Sequence, residues 1–244
     1  MTPLTVINWN VQWATPRSAR TPEILRRIDS LAPEIVCLTE ADEHLLSRDG
    51  YTITAQADYG YGDKGNRRKV MLWSQQPWRD VDDLGHESLT PGRFVSSVSA
   101  TSIGDVMVMG ICIPWFGSRT EARRGAERRE RWGDHGEYLA GLTEILGKQT
   151  DVPLIILGDF NQVIGQGARA PVHLREALKR AFSPNLEIVT ADVTFEGRRN
   201  IDHIALSAGL ACEAVEPVSN LHDDMKLSDH YGIVATVSAV PSDA

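Results

Sequence analysis

The sequence is short of cysteine, of aromatic residues and of positive charge. Its 244 residues include only three cysteines, Cys37, Cys112 and Cys212. The number is odd and no CxxC spacing occurs, which argues against a disulfide framework and against a thiolate zinc site. Each cysteine lies in an apolar, strand-like run and reads as a small buried hydrophobe. The set suits a reducing compartment. Lys and Arg number 25 against 33 Asp and Glu, a net charge of −8. That balance argues against a globally basic nucleic-acid binder and leaves open only a local basic patch. No long hydrophobic run exists: the longest apolar stretch, Val106 to Phe116, is too short for a bilayer and is broken by Gly110 and Pro114. The first cation is Arg17, and no basic segment precedes an apolar one, so no secretory signal is expected. The expectation is a soluble, cytoplasmic protein without membrane insertion.

What is present is an ordinary globular composition, 42% hydrophobic and 24% charged. No repeat, low-complexity segment or Pro/Gly/Ser-rich linker divides the chain, so residues 1–244 read as one domain. The apolar pattern predicts strands near Leu4–Trp9, Glu34–Thr39, Tyr51–Ala55, Val70–Ser74, Arg93–Thr101, Val106–Ile113, Pro153–Leu157, Leu186–Thr190, Ile201–Leu206, Ala211–Pro217 and Gly232–Ser238. A helix is expected after Thr21 as cap, with Pro22 at its first position and Ile24, Leu25, Ile28 and Leu31 on one face. Two more are expected, from about Ser118 to Leu146 with a break near Gly133, and from about Ala170 to Ala181. Mostly antiparallel strands with intervening helices suggest two packed sheets covered by helices.

Five stretches place a carboxylate, Asn or His where an apolar strand leaves the core, a position that suits a site on a rigid scaffold. They are Asn8-Trp9-Asn10, Glu40 after IVCLT, Asp159 and Asn161 in LIILGDFN, Asp202 in NIDHI, and Asp229-His230 in LSDHYGIV. Any one alone reads more readily as a turn or a cap. A hard divalent cation prefers oxygen ligands. Glu40, Asp229, Asn10 and Asp159 offer oxygens, and no cysteine pair or histidine cluster suggests zinc.

Taken in order, W-N near the start, L-x-E, G-D-x-N, I-D-x-I and a C-terminal S-D-H resemble the endonuclease/exonuclease/phosphatase superfamily from Asn8 to about Val237. The resemblance implies a four-layer α/β/β/α sandwich, two packed mixed β-sheets flanked by helices. It also implies a divalent-metal-dependent phosphoesterase using Mg²⁺, with Mn²⁺ as a substitute. Glu40 resembles the principal metal carboxylate, with Asn10 and Asp229 at or near the same ion. Asp159 resembles the residue that orients or deprotonates the attacking water, and Asn161 the amide on the scissile phosphate. His230 resembles the histidine touching a non-bridging oxygen, and Asp202 its carboxylate partner. Either His230 or Asp159 could be the base.

One departure stands out. Many members of that superfamily carry a His or Tyr just before the proline ending the central strand, where it contacts phosphate. Here the stretch is GICIPWF, and Cys112 or a neighbour falls there. Arg119, Arg123 or Arg124 could supply the contact, or could line a solvated face with Glu121, Glu127 and Glu130. A second basic cluster, Asn66-Arg67-Arg68-Lys69, lies beside Tyr59 and Tyr61 in a stretch read as loop, and Arg198 and Arg199 precede Asp202. Trp115 could stack on a base or form a hydrophobic lip; Trp9 and Trp13 read as packing residues. His203 alternates away from Asp202 and reads as structural.

The leading expectation is phosphodiester cleavage by a nuclease, with DNA or RNA as the phosphate-ester substrate. A small-molecule or lipid-headgroup phosphatase or phosphodiesterase is the alternative. A binding module that kept the fold and lost the chemistry would be expected to lack at least one of Glu40, Asp159, Asn161, Asp202, Asp229 and His230.

Overall fold

The computed structural model describes residues 2–46, 48–120, 130–148 and 152–241. Two six-stranded sheets dominate it. The first is built from β1 (Leu4–Ala14), β2 (Ile35–Asp42), β3 (Tyr51–Thr54), β4 (Arg67–Ser74), β13 (Leu210–Val218) and β16 (Gly232–Ala239), in spatial order β13-β16-β1-β2-β4-β3. The second is built from β5 (Trp78–Asp82), β6 (Phe94–Thr101), β7 (Gly104–Cys112), β8 (Leu154–Asp159), β9 (Leu186–Ile188) and β12 (Asp202–Ser207), in order β5-β6-β7-β8-β12-β9. Two short hairpins complete the strands: β10 (Thr194–Phe195) with β11 (Arg198–Arg199), and β14 (Leu221–His222) with β15 (Met225–Lys226).

Each sheet holds one parallel pair, β1 with β2 and β7 with β8, and every other pairing is antiparallel. Parallel neighbours need a crossover connection. Helix α1 (Thr21–Ser30) lies in the first crossover and α2 (Gly133–Leu146) in the second, and α3 (Val172–Phe182) follows β8.

Strand alternation sorts the side chains into layers. Leu4, Val6, Ile35, Cys37, Val70 and Leu72 of the first sheet meet Val95, Val108, Ile155, Leu157 and Ile204 of the second in one buried core. The opposite face of the first sheet, with Ile7, Trp9, Val36 and Leu38, packs on Ile24 and Ile28 of α1. The opposite face of the second, with Ile111, Ile156 and Ala205, packs on Tyr138, Leu139 and Leu142 of α2 and Leu174 and Leu178 of α3. This is the four-layer sandwich expected from the resemblance.

Several boundaries differ from the sequence reading. Thr21 is the first helical residue rather than the cap, and its hydroxyl donates to the Thr15 carbonyl at 2.6 Å. Ser118 to Thr120 are not helical; they are held by the Asp134 carboxylate, which accepts from Ser118 Oγ at 2.9 Å and from the Thr120 N–H at 2.8 Å. Strand β5 went unseen because four of its five side chains are exposed and it lacks an apolar face. Strand β1 runs five residues past Trp9 because a register shift between Asn10 and Ala14 lets it continue beside β2.

The polar residues follow from the same alternation. Asn8 and Asn10 share the inner face of β1 with Leu4 and Val6, and Asp159 shares that of β8 with Ile155 and Leu157. The parity of β2 changes near its end: Val36, Leu38 and Ala41 all pack on the α1 side. Just before Ala41, Glu40 has a left-handed φ of 51°. Gly158 brings β8 against β7, since a Cβ there would stand 1.8 Å from the Ile111 carbonyl oxygen.

Candidate active site

The ends of β1, β2, β7 and β8 meet the start of β12 and the turn before β16 at one edge of the sandwich. Asn10 donates through Nδ2 to Asp159 Oδ2 at 3.1 Å, which links the two sheets. His230 and Asp202 form a second link, Nδ1 to Oδ2 at 2.5 Å. Asp202 lies opposite Asp159 in the antiparallel pairing of β12 with β8. One ligand atom from each of Asp159, Asp202 and His230 falls within a 4.8 Å cluster.

Local hydrogen bonds fix each group. Asp159 Oδ1 accepts from the Asn161 N–H at 2.9 Å, and Asn161 Nδ2 donates to the Ile113 carbonyl at 2.8 Å. Asn161 has a φ of 53°, an unusual conformation outside glycine. Asn10 Oδ1 accepts from the Gln12 N–H at 2.9 Å. Ser228 donates to the Asn10 carbonyl at 2.6 Å and so ties the S-D-H motif to β1. Asp229 is the outermost carboxylate, with its Oδ1 at 3.9 Å from His230 Nε2.

The site concentrates negative charge in a buried place. Burial, then Asp202 and Glu40, push the Asp159 carboxyl up to about 7 against the pull of His230 and the Asn161 N–H. Burial disfavours the charged His230 ring, yet Asp202, with Asp159 and Asp229 behind it, holds its pKa up at about 10. Asp202 Oδ1 is buried with no hydrogen-bond partner. An orphaned carboxylate oxygen beside crowded carboxylates fits a hard cation with oxygen ligands. The ligand atoms brought together are those of Asp159, Asp202 and His230; Asn10 reaches Asp159, Asp229 lies beside His230, and Glu40 is paired with Lys69.

Other sequence candidates fall differently. Trp115 is 47% exposed and packs edge-on against Phe116, with Arg131 over the Phe116 ring. Arg119 is exposed, and its backbone N–H bonds the Tyr61 hydroxyl at 2.9 Å. Arg123 and Arg124 lie outside the described residues. Arg198 bonds the Asp229 carbonyl at 3.3 Å and Asn220 Oδ1 at 3.0 Å. Trp9 is fully buried, its N–H on the His230 carbonyl at 3.0 Å. Trp13 is only partly buried and stacks on Tyr59 at 5.7 Å, so it is not simply a core residue.

Four residues had no individual role in the sequence reading, where Lys69 stood only within a basic cluster and Asn8 within the Asn8-Trp9-Asn10 stretch. Lys69 Nζ pairs with Glu40 Oε1 at 2.6 Å. Arg93, 1% exposed, donates to the Cys112 carbonyl at 3.4 Å and reaches Cys112 Sγ at 3.7 Å, while its Nε has no partner. Asn8 ties the sheets by donating to the Gly158 and His203 carbonyls at 3.0 and 3.1 Å. Gln162 supports the G-D-F-N loop from below. Its side-chain amide meets His135 Nε2 at 2.7 Å, and its carbonyl accepts from His203 Nε2 at 3.0 Å.

That support has a pH limit. His135 and His203 are fully buried, and burial pushes both down to about 4. A histidine neutral in the fold is stabilising above its unfolded pKa, near 6.5, and loses that stability as pH falls toward the folded value. Each is expected to cost roughly 2–3 kcal/mol of stability by pH 4.5. Urea unfolding at pH 7.5 and 4.5 measures this. The H135Q/H203Q double variant should lose less over that interval, and an equally steep loss would contradict the account.

The endonuclease/exonuclease/phosphatase family model matches residues 7–230. No curated protein matches the sequence. Among solved structures, the chain is similar to a 3′ phosphatase, NExo, from Neisseria bound to a product DNA hairpin. The TM-score is 0.68 and identity 17%, covering 95% of this chain and 98% of that one. It is similar to D. rerio TDP2 complexed with single-strand DNA product, with TM-score 0.69, 12% identity, and 98% and 100% of the two chains covered. The human Nocturnin catalytic domain with bound sulfate gives TM-score 0.63 at 20% identity over 98% and 95%. At these identities the likeness concerns the fold, while the family match spans the strand-end motifs from Asn8 to His230. The chain belongs to the endonuclease/exonuclease/phosphatase family, whose members are hydrolases of phosphoester bonds.

Proposed function

We propose that this protein is a divalent-metal-dependent phosphodiesterase, with nucleic acid as its first substrate class. The observation that carries the reading is the Asp202–His230 pair beside Asp159 and Asn10, where two sheets meet. The whole chain acts as one catalytic domain.

Glu40, Asn10 and Asp229 would hold Mg²⁺ or Mn²⁺. When bound, the ion supplies Lewis-acid neutralisation of phosphoryl charge. Asp159, with its carboxyl at about 7, is basic enough near neutral pH to orient a water and take its proton. His230 presents Nε2 to a non-bridging oxygen while Asp202 holds Nδ1 and keeps the ring charged. Asn161 spends one amide hydrogen on the Ile113 carbonyl and keeps the other for the phosphate.

Arg67, Arg198 and Arg119, all exposed, offer positive charge on an otherwise acidic protein. The DNA-bound relatives also favour a nucleic-acid substrate. The net charge of −8 favours the alternative, a small-molecule or lipid-headgroup phosphoester. No helix among the described residues is long and apolar enough to cross a membrane.

Labelled single-stranded, double-stranded and abasic-site DNA, incubated in Mg²⁺ and in Mn²⁺, test the reading. Cleavage that disappears with chelator and with Asp159→Ala is the expected result. Cleavage should also fall steeply with salt, by about tenfold or more between 50 and 200 mM, if several phosphates are contacted. Intact DNA alongside hydrolysis of inositol phosphates or phospholipid headgroups would move the function to the alternative.

A further inference from the structure

Lys69 is placed to do more than neutralise Glu40. The register of β2 on β4 sets Thr39 opposite Val70 and Ala41 opposite Arg68, which brackets the Glu40–Lys69 pair. The pair is close, 2.6 Å, and Lys69 is 8% exposed. Its ammonium also lies 4.9 Å from the Trp13 ring centre and 5.5 Å from that of Tyr59. Cation–π attraction therefore steers the stem from two sides. Trp13 is brought there by two successive left-handed residues, Gln12 at φ 48° and Trp13 at φ 58°. Such backbone strain is maintained only where the surroundings demand it.

The second observation concerns Cys112. Burial pushes its thiol up to about 12, and the charges acting on it include Lys69, Arg93, Asp159 and Glu40. The Lys69 ammonium, 8% exposed and paired with Glu40, is buried beside a site carboxylate. A neutral thiol is a weak donor. Cys112, opposite Asp159 in the pairing of β7 with β8, therefore offers a bound phosphoryl group little.

We propose that Lys69 is a phosphate-contacting catalytic residue that compensates for Cys112. Its ammonium rests on Glu40, and with a divalent ion held by Glu40 it would be free to contact a phosphoryl oxygen. A divalent ion outcompetes a single ammonium for one carboxylate, since it carries twice the charge. The flexible stem of Lys lets the head move a few ångströms without moving the strand, and Lys binds phosphate as a point charge. The inference rests on the phosphoesterase reading for its substrate, but its two steps can be measured without turnover.

The test is calorimetric titration of chelator-stripped wild type, Lys69→Met and Lys69→Arg, first with Mn²⁺ alone. Inorganic phosphate is then titrated onto the Mg²⁺-loaded proteins. Lys69→Met should bind Mn²⁺ at least about fivefold more tightly, because a competitor is gone. It should bind phosphate at least about tenfold more weakly, because a charged donor is gone. Lys69→Arg should stay within about threefold of wild type for phosphate. Equal or weaker Mn²⁺ binding by Lys69→Met would mean Lys69 only props Glu40, and unchanged phosphate binding would mean it makes no contact; either overturns the proposal. If Lys69→Met does not fold, Lys69→Gln carries the same readouts. Both titration effects in Lys69→Met, together with a wild type that cleaves no phosphodiester, would sink the proposed function and leave the role of Lys69 standing.

Discussion

Replacing Asp159 with Asn should slow hydrolysis severely and at the same time stabilise the metal-free protein at alkaline pH. The two effects have one cause. Asp159 is 2% exposed, near Asp202 and Glu40, and its carboxyl is pushed up to about 7. A carboxyl raised above its unfolded value contributes stability below about 4 and loses it as pH rises through the folded value. At pH 8 the ionised form therefore burdens the fold by on the order of 4 kcal/mol. The amide removes that burden but disturbs the Asn10 hydrogen bond, worth about 1–2 kcal/mol. A net gain on the order of 2–3 kcal/mol is expected at pH 8, shrinking toward pH 5. The same change removes the proton acceptor and should slow turnover by on the order of 10³-fold. Melting in chelator at pH 5 and pH 8, with a cleavage assay in Mg²⁺, reads both. A variant less stable than wild type at pH 8, or active within tenfold of it, would refute the charge-crowding account.

The carboxylates were legible in the sequence because strand periodicity places them. Leu4, Val6, Asn8 and Asn10 lie two apart, so once Leu4 and Val6 face the core the asparagines share their face. The same count carries Asp159 from Ile155 and Leu157, and it turns His203 away from Asp202. Glu40 is the instructive case. Its neighbours shift parity at a left-handed residue, which no apolar pattern announces, so its place at the end of IVCLT and in the ordered motif marked it and alternation did not. Lys69 was beyond reach for a different reason. Its partner Glu40, 29 residues away along the chain, is set by the register of two strands, and the stretch containing Lys69 read as loop. Arg93 was read as a strand start, though it is a fully buried guanidinium under Cys112. Gln162 and His135 illustrate the same limit, since a glutamine after G-D-F-N carries no signal that two neutral histidines converge on it.

Asp202 and His230 give the clearest separation between a positioning charge and a mere hydrogen bond. Asn at position 202 can still accept from His230 Nδ1, so the ring keeps its orientation and loses the neighbouring charge. Wild-type His230 is held charged up to about 10 by Asp202 with Asp159 and Asp229, against burial. Its raised value means the pairing stabilises the fold below about 6.5 and fades as pH climbs through the folded value. In Asp202→Asn the burial penalty remains while the main compensating charge is gone, so the imidazolium should discharge several pH units earlier. If the charged ring stabilises a phosphoryl oxygen, kcat/KM should fall by about tenfold at pH 6 and on the order of 10³-fold at pH 9. The growing gap is the signature. A purely structural role for Asp202 would lower both limbs of the pH profile by one factor, and parallel profiles from pH 6 to pH 9 would rule out the electrostatic role. Asp202→Ala should behave worse at every pH, because it also frees the ring to rotate and leaves Nδ1 without its partner. The difference between the Asn and Ala profiles then isolates orientation, and the difference between Asn and wild type isolates charge.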